Sequence, residues 1–353
     1  MTVKEFLTTL SLAPGVSGFE DPVAAIVERA WSDLGCEVRR DNLGNVIALR
    51  RGTRPTGTRR LKVMLAAHLD EVGLIVTRID RDGFLRFAGV QRPDFRQLLG
   101  KEVTVHGRRE LPGVIGHPPP HLLSAEDSRK LPEPEDLFID AGLTVAEAAE
   151  LVAVGDPVTF RSGVWELKNG LLAGKALDDR SGVAALHQCL QELERSHPAA
   201  DVYAVATVQE EVGLRGAVAG TYGVDPDLAI AVDVGYGDTP GVPEHLTWPP
   251  GKGPVIAVGG NVHPILHRDL IALARELDIP YQVEAIPGPT GTDAWAMQVA
   301  RTGVPTALLS IPCRYMHSAV ETIALADVTR SGRLLARFVC DRDLSYLEEL
   351  AWK

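Results

Sequence analysis

The sequence predicts an α/β protein, with a mixed, largely parallel sheet covered by helices on both faces and interrupted by a small β-rich insert. Three observations carry that expectation. After about Ser162, the apolar runs VYAVATV, LAIAVDV, PVIAVGG and TALLSI are continuous rather than alternating, as in strands buried on both faces. The stretches DRSGVAALHQCLQELERS, HPILHRDLIALARELD, TDAWAMQVAR and ADVTRSGRLLARFVCDR lie between or after them with helical patterning, and alternation of strand and helix implies a covered parallel sheet. Between Glu71 and about Arg161 the texture changes to short alternating runs, VGLIVTRI, FLRFAGV and KEVTVHG, broken by Gly, Pro and charge, which read as small β units.

In chain order, a short helix is expected near residues 3–10. An amphipathic helix follows around 21–34, with Asp21 as N-cap and Pro22 as first helical residue. CEVRRD and NVIALR form a hairpin through the turn DNLGN, and LKVMLAA is a buried strand. Within the insert, PGVIGHPPPHLL and SAEDSRKLPEPEDL read as exposed loops, GLTVAEAAELVA as a helix and GDPVTF as a last strand. The expected division is therefore 1–70 with 163–353 for the main domain and 71–162 for the insert. A chain of 353 residues suits two such units.

Composition narrows the function. With 36 basic and 47 acidic residues the formal charge is −11, and an acidic chain without a basic patch argues against a nucleic-acid partner. The densest basic run, Arg50, Arg51, Arg54, Arg59, Arg60 and Lys62, is interrupted by Gly and Pro and reads as a solvated loop. No stretch approaches the roughly 18 apolar residues of a membrane helix. The opening MTVKEFLTTL is broken by Lys4 and Glu5, unlike a signal peptide. Four cysteines, Cys36, Cys189, Cys313 and Cys340, show no CxxC spacing, so neither a structural zinc site nor a thioredoxin-like motif is indicated, and their scarcity fits a reducing cytoplasm.

The chemistry is positional. LKVMLAA ends in His68, Leu69, Asp70 and Glu71; GLLAGKAL ends in Asp178 and Asp179; VYAVATVQ ends in Glu210 and Glu211; LAIAV ends in Asp233; TALLSIPCRYM leads to His317. Open α/β sheets bind ligands beyond the carboxyl ends of their strands. Carboxylates gathered there repel one another unless cations neutralise them, and two divalent metals would do so. His68 and Asp70 share one side of a strand end by their period-two spacing, so Asp70 can orient a histidine ligand. Adjacent Glu210 and Glu211 diverge, so one can bind metal while the other acts as general base toward metal-activated water. Taken singly, each motif has a plainer reading: a core histidine for HLD, a helix cap for Asp178 or Asp179, solvated glutamates for Glu210 and Glu211, a turn residue for Asp233. Together they supply two histidines, three carboxylates and a base, a donor set suited to Zn, Co or Mn. His263 and His267 are four apart, but Pro264 occupies the position that HExxH gives to glutamate.

The segments AAHLDEVGLIV, GKALDDRSG, VQEEVGLRGA, VDVGYGDTPG, PGPTGTDAWA and CRYMHS, with SGFED, DNLGNVIA and DLFIDAG, resemble those of the cytosolic dinuclear-metal aminopeptidases, the family of glutamyl aminopeptidase and the tetrahedral (TET) aminopeptidases. The resemblance implies that His68 and His317 bind different metals, that Asp178 bridges them, and that Glu211 and Asp233 complete the ligands. It implies Glu210 as base and acid and Asp70 as the residue orienting His68. It further implies two divalent ions per subunit, zinc foremost, with cobalt or manganese as alternatives. The insert would serve dimerisation, and dimers would assemble to a dodecamer that admits short peptides with free amino termini. Thr292, Asp293 and Arg314 lie in or beside matching motifs and are candidates for the substrate pocket. The rival readings are a dinuclear deacylase or amidase, a metal-free glycosidase using paired carboxylates, and a non-catalytic scaffold.

Overall fold

A computed structural model describes residues 1–54, 59–91, 93–126 and 129–352. Helices α1 (Val3–Leu12) and α2 (Asp21–Asp33) lead into strands β1 (Glu37–Arg40), β2 (Val46–Arg50) and β3 (Lys62–His68). The chain then builds β4 (Gly73–Ile79), β5 (Leu85–Val90), β6 (Glu102–His106), β7 (Glu110–Gly116), β8 (Phe138–Asp140), α3 (Val145–Leu151) and β9 (Pro157–Phe160). It returns through β10 (Trp165–Glu166), β11 (Leu171–Gly174), α4 (Leu177–Glu194), β12 (Asp201–Thr207), α5 (Arg215–Val224) and β13 (Leu228–Tyr236). The last third comprises β14 (Val255–Gly259), α6 (Pro264–Glu276), β15 (Gln282–Ile286), α7 (Asp293–Gln298), β16 (Thr306–Arg314), β17 (Glu321–Ala324), α8 (Leu325–Cys340) and α9 (Tyr346–Leu350).

The large sheet runs β1-β2-β12-β3-β13-β16-β17-β11-β10, and β14 and β15 branch from β16. Its centre, β12-β3-β13-β16, is parallel, as the continuous apolar runs predict. The flanks are antiparallel: β2 against β12, and β17 against both β16 and β11. Val63 through Ala67 are wholly buried because helices cover both faces. Helices α1, α4 and α8 pack together against the sheet, and α5 and α7 form a separate pair against it. Trp31 and Phe6 are the bulkiest apolar side chains fully enclosed. No helix among the described residues is long and apolar enough to cross a membrane.

The insert strands close into a barrel, β4-β5-β8-β7-β6-β9, around a separate core that includes Leu74, Val103, Val105, Ile139 and Val158. Closure removes the unpaired edges an open six-stranded sheet would expose. Two expectations change here. The stretch ELPGVIG, whose residues 112–116 read as part of a proline-rich loop, is strand β7, in which Leu111, Gly113 and Ile115 alternate inward and Pro112 lies opposite Thr104. Its period of two was obscured by the proline. Helix α2 starts one residue earlier than expected, with Glu20 at the N-cap position but no side-chain capping bond. In the basic run, Arg51 pairs with Glu37, Arg54 with Asp341 and Arg59 with Asp227, while residues 55–58 within it, like 127–128 of the acidic insert loop, lie outside the described residues.

Where β3 hands over to the barrel, Glu71 is buried and paired with two buried cations. Lys175 Nζ lies 2.9 and 2.7 Å from its carboxylate oxygens, and Arg180 Nη2 lies 3.2 Å away. Arg180 also donates to the carbonyls of Leu10 (2.5 Å), Ala13 (2.6 Å) and Leu69 (3.1 Å). Helix C-termini leave carbonyls without partners; Arg180 supplies donors to Leu10 and the C-cap Ala13 at the end of α1 and to Leu69, next to the first histidine. Burial pulls the Lys175 ammonium down to about 8.

The turn DNLGN ties the hairpin to α5. Asn45 accepts from Val208 N at 2.9 Å and donates to Gly216 O at 2.9 Å. A Cβ on Gly216 would meet Val208 O at 2.3 Å and Asn45 Oδ1 at 2.5 Å. Gly216→Ala is therefore expected to destabilise the fold by about 1–3 kcal/mol, read as a lowered thermal midpoint; an unchanged midpoint would refute this close approach.

Candidate active site

The seven chemistry-bearing residues expected from sequence converge beyond the carboxyl ends of the parallel strands. His68 ends β3, Glu210 and Glu211 follow β12, Asp233 lies near the end of β13, His317 follows β16, and Asp178 opens α4. Asp178 turns one oxygen to each histidine: Oδ1 is 3.1 Å from His68 Nε2, and Oδ2 is 3.2 Å from His317 Nε2. Asp233 Oδ1 lies 3.9 Å from His68 Nε2, and Glu211 Oε1 lies 3.4 Å from His317 Nε2. Donor atoms of His68, Asp178 and Asp233 lie within 4.8 Å of one another, as do those of Asp178, Glu211 and His317, and those of His68, Glu210 and Glu211. Two of these clusters share Asp178.

Further buried carboxylates hold the backbone that carries this set. Asp70 accepts from Ser17 Oγ (2.6 Å), Glu210 N (3.0 Å) and Glu211 N (3.1 Å), and its carbonyl faces His68 Nδ1 at 3.1 Å. Asp179 accepts from His68 N (3.2 Å) and Gly182 N (3.0 Å). Glu321 accepts from Asp178 N and His317 N, both at 3.0 Å. Glu20 accepts from Gly18 N (2.8 Å) and Gln209 N (3.0 Å). Ala176, Gln209 and His317 have positive φ (54°, 55° and 61°), conformations that cost about 1–3 kcal/mol each in a non-glycine residue.

Burial dominates the electrostatics. It pushes the Glu210 carboxyl up to about 10 and Glu211 up to about 7, with neighbouring carboxylates adding to both. Asp233 is raised well above the carboxylate range by the same causes. Asp178 goes the other way: against its burial, hydrogen bonds from His317 and His68 hold it below that range. The Asp178 contact lifts His317 to about 9. A crevice of this composition retains protons unless a cation replaces them. Two imidazoles and several carboxylate oxygens in overlapping triads that share one aspartate form a donor set that fits divalent ions of the zinc, cobalt or manganese kind.

A cavity of about 400 Å³ opens above the cluster, lined by His68, Glu210, Asp233 and His317 on its floor and by Trp295 and Met316 among its walls. Thr292 lines it, and its hydroxyl caps α7 by accepting from Ala294 N at 3.3 Å. Asp293 does not line it; it is buried beneath, accepting from Thr207 Oγ1 at 2.5 Å. Arg314 is turned away to Asp238, with Nη2 2.5 Å and Nε 3.0 Å from its carboxylate. Sequence reasoning missed Glu321, four residues after His317, and Gln91, which follows barrel strand β5 and donates to Glu211 Oε2 at 3.2 Å. A carboxylate amid the apolar SAV and TIA segments was the available signal for Glu321; Gln91 had none.

Known proteins agree with this architecture. The chain is 38% identical to lysyl aminopeptidase of Pyrococcus furiosus over 94% of both chains. Its fold matches the TET aminopeptidase of a marine-sediment Thaumarchaeota archaeon with a TM-score of 0.92, 35% identity and 99% coverage of both chains. It matches the TET1 peptidase of Pyrococcus horikoshii, which can assemble into a tetrahedron or a large octahedral shell, with a TM-score of 0.84 and 32% identity over 97% of this chain and 100% of that one. The M42 glutamyl aminopeptidase profile matches residues 44–334. With that match laid over the sheet and its crevice, the chain belongs to the M42 glutamyl aminopeptidase family and is an enzyme of the aminopeptidase class.

Proposed function

We propose that the enzyme removes single residues from the free amino termini of short peptides, with two divalent ions held by His68, Asp178, Asp233, Glu211 and His317 and with Glu210 as general base. The observation that carries this reading is Asp178, whose two oxygens face two histidines, one at the end of β3 and the other in the loop after β16. His68, Asp178 and Asp233 would hold one ion, and Asp178, Glu211 and His317 the other. Zinc is the foremost candidate, with cobalt or manganese as alternatives. The chemistry such ions supply is activation of water near neutral pH and polarisation of the scissile carbonyl.

The chain's own groups do the rest. Glu210 is buried beside the donor set; once cations neutralise the crevice it would be ionised, and its carboxylate would then take a proton from the attacking water and return it to the leaving amine. Asp70 acts as a positioning residue, fixing the Glu210 and Glu211 amides and facing the far side of His68. Thr292 borders the substrate cavity. Residues 1–70 and 163–353 would form the catalytic domain and 71–162 the dimerisation domain. A solved TET1 relative that is a dodecamer, and the tetrahedral assembly of the Pyrococcus horikoshii TET1 peptidase, support an extension of dimers to a dodecamer. A cytoplasmic site of action fits the four unpaired cysteines.

Chelation followed by return of Zn, Co or Mn is expected to abolish and then restore hydrolysis of aminoacyl-p-nitroanilides and short peptides, while N-acetylated peptides stay intact. Cleavage of the acetylated peptides alone would favour the deacylase reading. Glu210→Gln should retain metal while kcat falls about 10²–10⁴-fold; retained metal with near-normal turnover would refute the base. Asp70→Asn should weaken metal affinity about 10–100-fold, measured by competition with a chelator, and an unchanged affinity would remove Asp70 from that role.

A further inference from the structure

We propose that Gln91, contributed by the barrel insert, is a positioning residue for the metal centre. Its amide holds one oxygen of Glu211 so that the other faces the ion shared with Asp178 and His317. The inference rests on the dinuclear reading above and concerns the same site. Gln91 follows β5, is half-buried and lines the cavity above the donor set. Its Nε2 donates to Glu211 Oε2 at 3.2 Å, while Glu211 Oε1 lies 3.4 Å from His317 Nε2. The two oxygens of one carboxylate are thus divided between the barrel and the ligand cluster.

The backbone delivers this amide at a conformational cost. Gln91 has a φ of 65°, in the left-handed region that favours glycine. A Cβ on Gly89 would meet Gln91 O at 2.8 Å and Pro93 Cδ at 2.5 Å, so the chain turns back sharply as β5 ends. A side chain carried on unfavourable backbone at the edge of a site points to a use for that side chain. Its place is set from the main domain. Glu71, clamped by Lys175 and Arg180, is followed two residues later by Gly73, which pairs with Val90, the residue before Gln91. A Cβ on Gly73 would meet Val16 Cγ2 at 2.5 Å, so this pairing sits hard against the main domain.

The chemistry of glutamine suits the task. An ionised carboxylate only accepts hydrogen bonds, and the amide nitrogen donates to it. Being neutral, the amide fixes the oxygen without adding a positive charge that would repel a divalent ion close by. The main chain of Glu211 is already held, its N–H donating to Asp70 Oδ2 at 3.1 Å. What the main chain does not fix is the terminal torsion of the glutamate, which is broad and roughly two-fold. Gln91 supplies that constraint from the opposite side of the crevice to Asp70, and partners that orient a ligand in this way tune metal affinity.

The test titrates zinc calorimetrically into the metal-free full-length protein as wild type, Gln91→Gly and Gln91→Ala, and records the thermal midpoint of each metal-free protein. Wild type is expected to bind two ions. In both variants one binding step should weaken about 10–100-fold while the other is unchanged. Gln91→Gly should show this with no fall in midpoint, because glycine accepts the left-handed backbone, and its midpoint should exceed that of Gln91→Ala. Looser metal in an undamaged fold is a pairing that a merely structural role would not give. Two steps of wild-type affinity in Gln91→Gly overturn the assignment, as does equal weakening of both steps with a lowered midpoint. Either result leaves the dinuclear reading standing, whereas wild type that binds fewer than two ions refutes that reading and this inference with it.

Discussion

Negative charge crowded out of contact with bulk water is the constraint from which the rest of this structure follows. Asp178, Glu210, Glu211 and Asp233 share one crevice, with Asp70, Asp179 and Glu321 immediately behind them, all buried. Two like charges 4 Å apart repel by about 4 kcal/mol at an effective dielectric of 20, so the crevice is untenable in fully ionised form. Part of the strain is relieved by the imidazoles of His68 and His317, which share Asp178 between them. Part is relieved by proton retention, as the raised Glu210 and Glu211 carboxyls indicate. On the proposed reading, divalent cations complete the neutralisation.

The carboxylates behind the crevice serve a different end. Each accepts backbone N–H groups from residues of the donor set, so the positions of those residues are set by hydrogen bonds to main chain rather than by side-chain packing alone. Asp70 spans two strand ends, Glu321 links α4 to the loop after β16, and Asp179 returns to His68. That rigidity sustains left-handed backbone at Ala176, Gln209 and His317, consistent with the concentration of unfavourable conformations at functional sites. The barrel is part of this frame: Gln91 reaches Glu211, and Glu71 is locked by Lys175 and Arg180.

Much of this was legible in the sequence, for physical reasons. Strands buried on both faces must be continuously apolar, so the central parallel sheet announced itself, and polar residues at the ends of such strands had little reason to exist except chemistry. Elements whose burial is one-sided or brief were harder to read. Strand β15 alternates between half-buried and exposed residues, β17 has four residues, and β7 carries a proline. Pocket residues named by proximity in the motif GTDA separated by a single position: Thr292 faces the cavity, while Asp293 turns beneath it to Thr207. Adjacent residues at a helix start diverge, and only the fold decides which one faces inward. Arg314 likewise depended on Asp238, 76 residues away in the chain.

The donor set is drawn from positions 68, 178, 211, 233 and 317, on segments that meet only when β3, β12, β13 and β16 are side by side. No local stretch of chain contains even one complete triad. Closure of such distant segments is entropically slow, as in other topologies dominated by non-local pairing. On the proposed reading, metal affinity would therefore arise late in folding and could not template its early steps, in contrast to small domains in which the ion drives the collapse. A nascent chain that has not yet delivered His317 has no complete second triad, so on the proposed reading hydrolytic competence would be withheld until the whole sheet has formed.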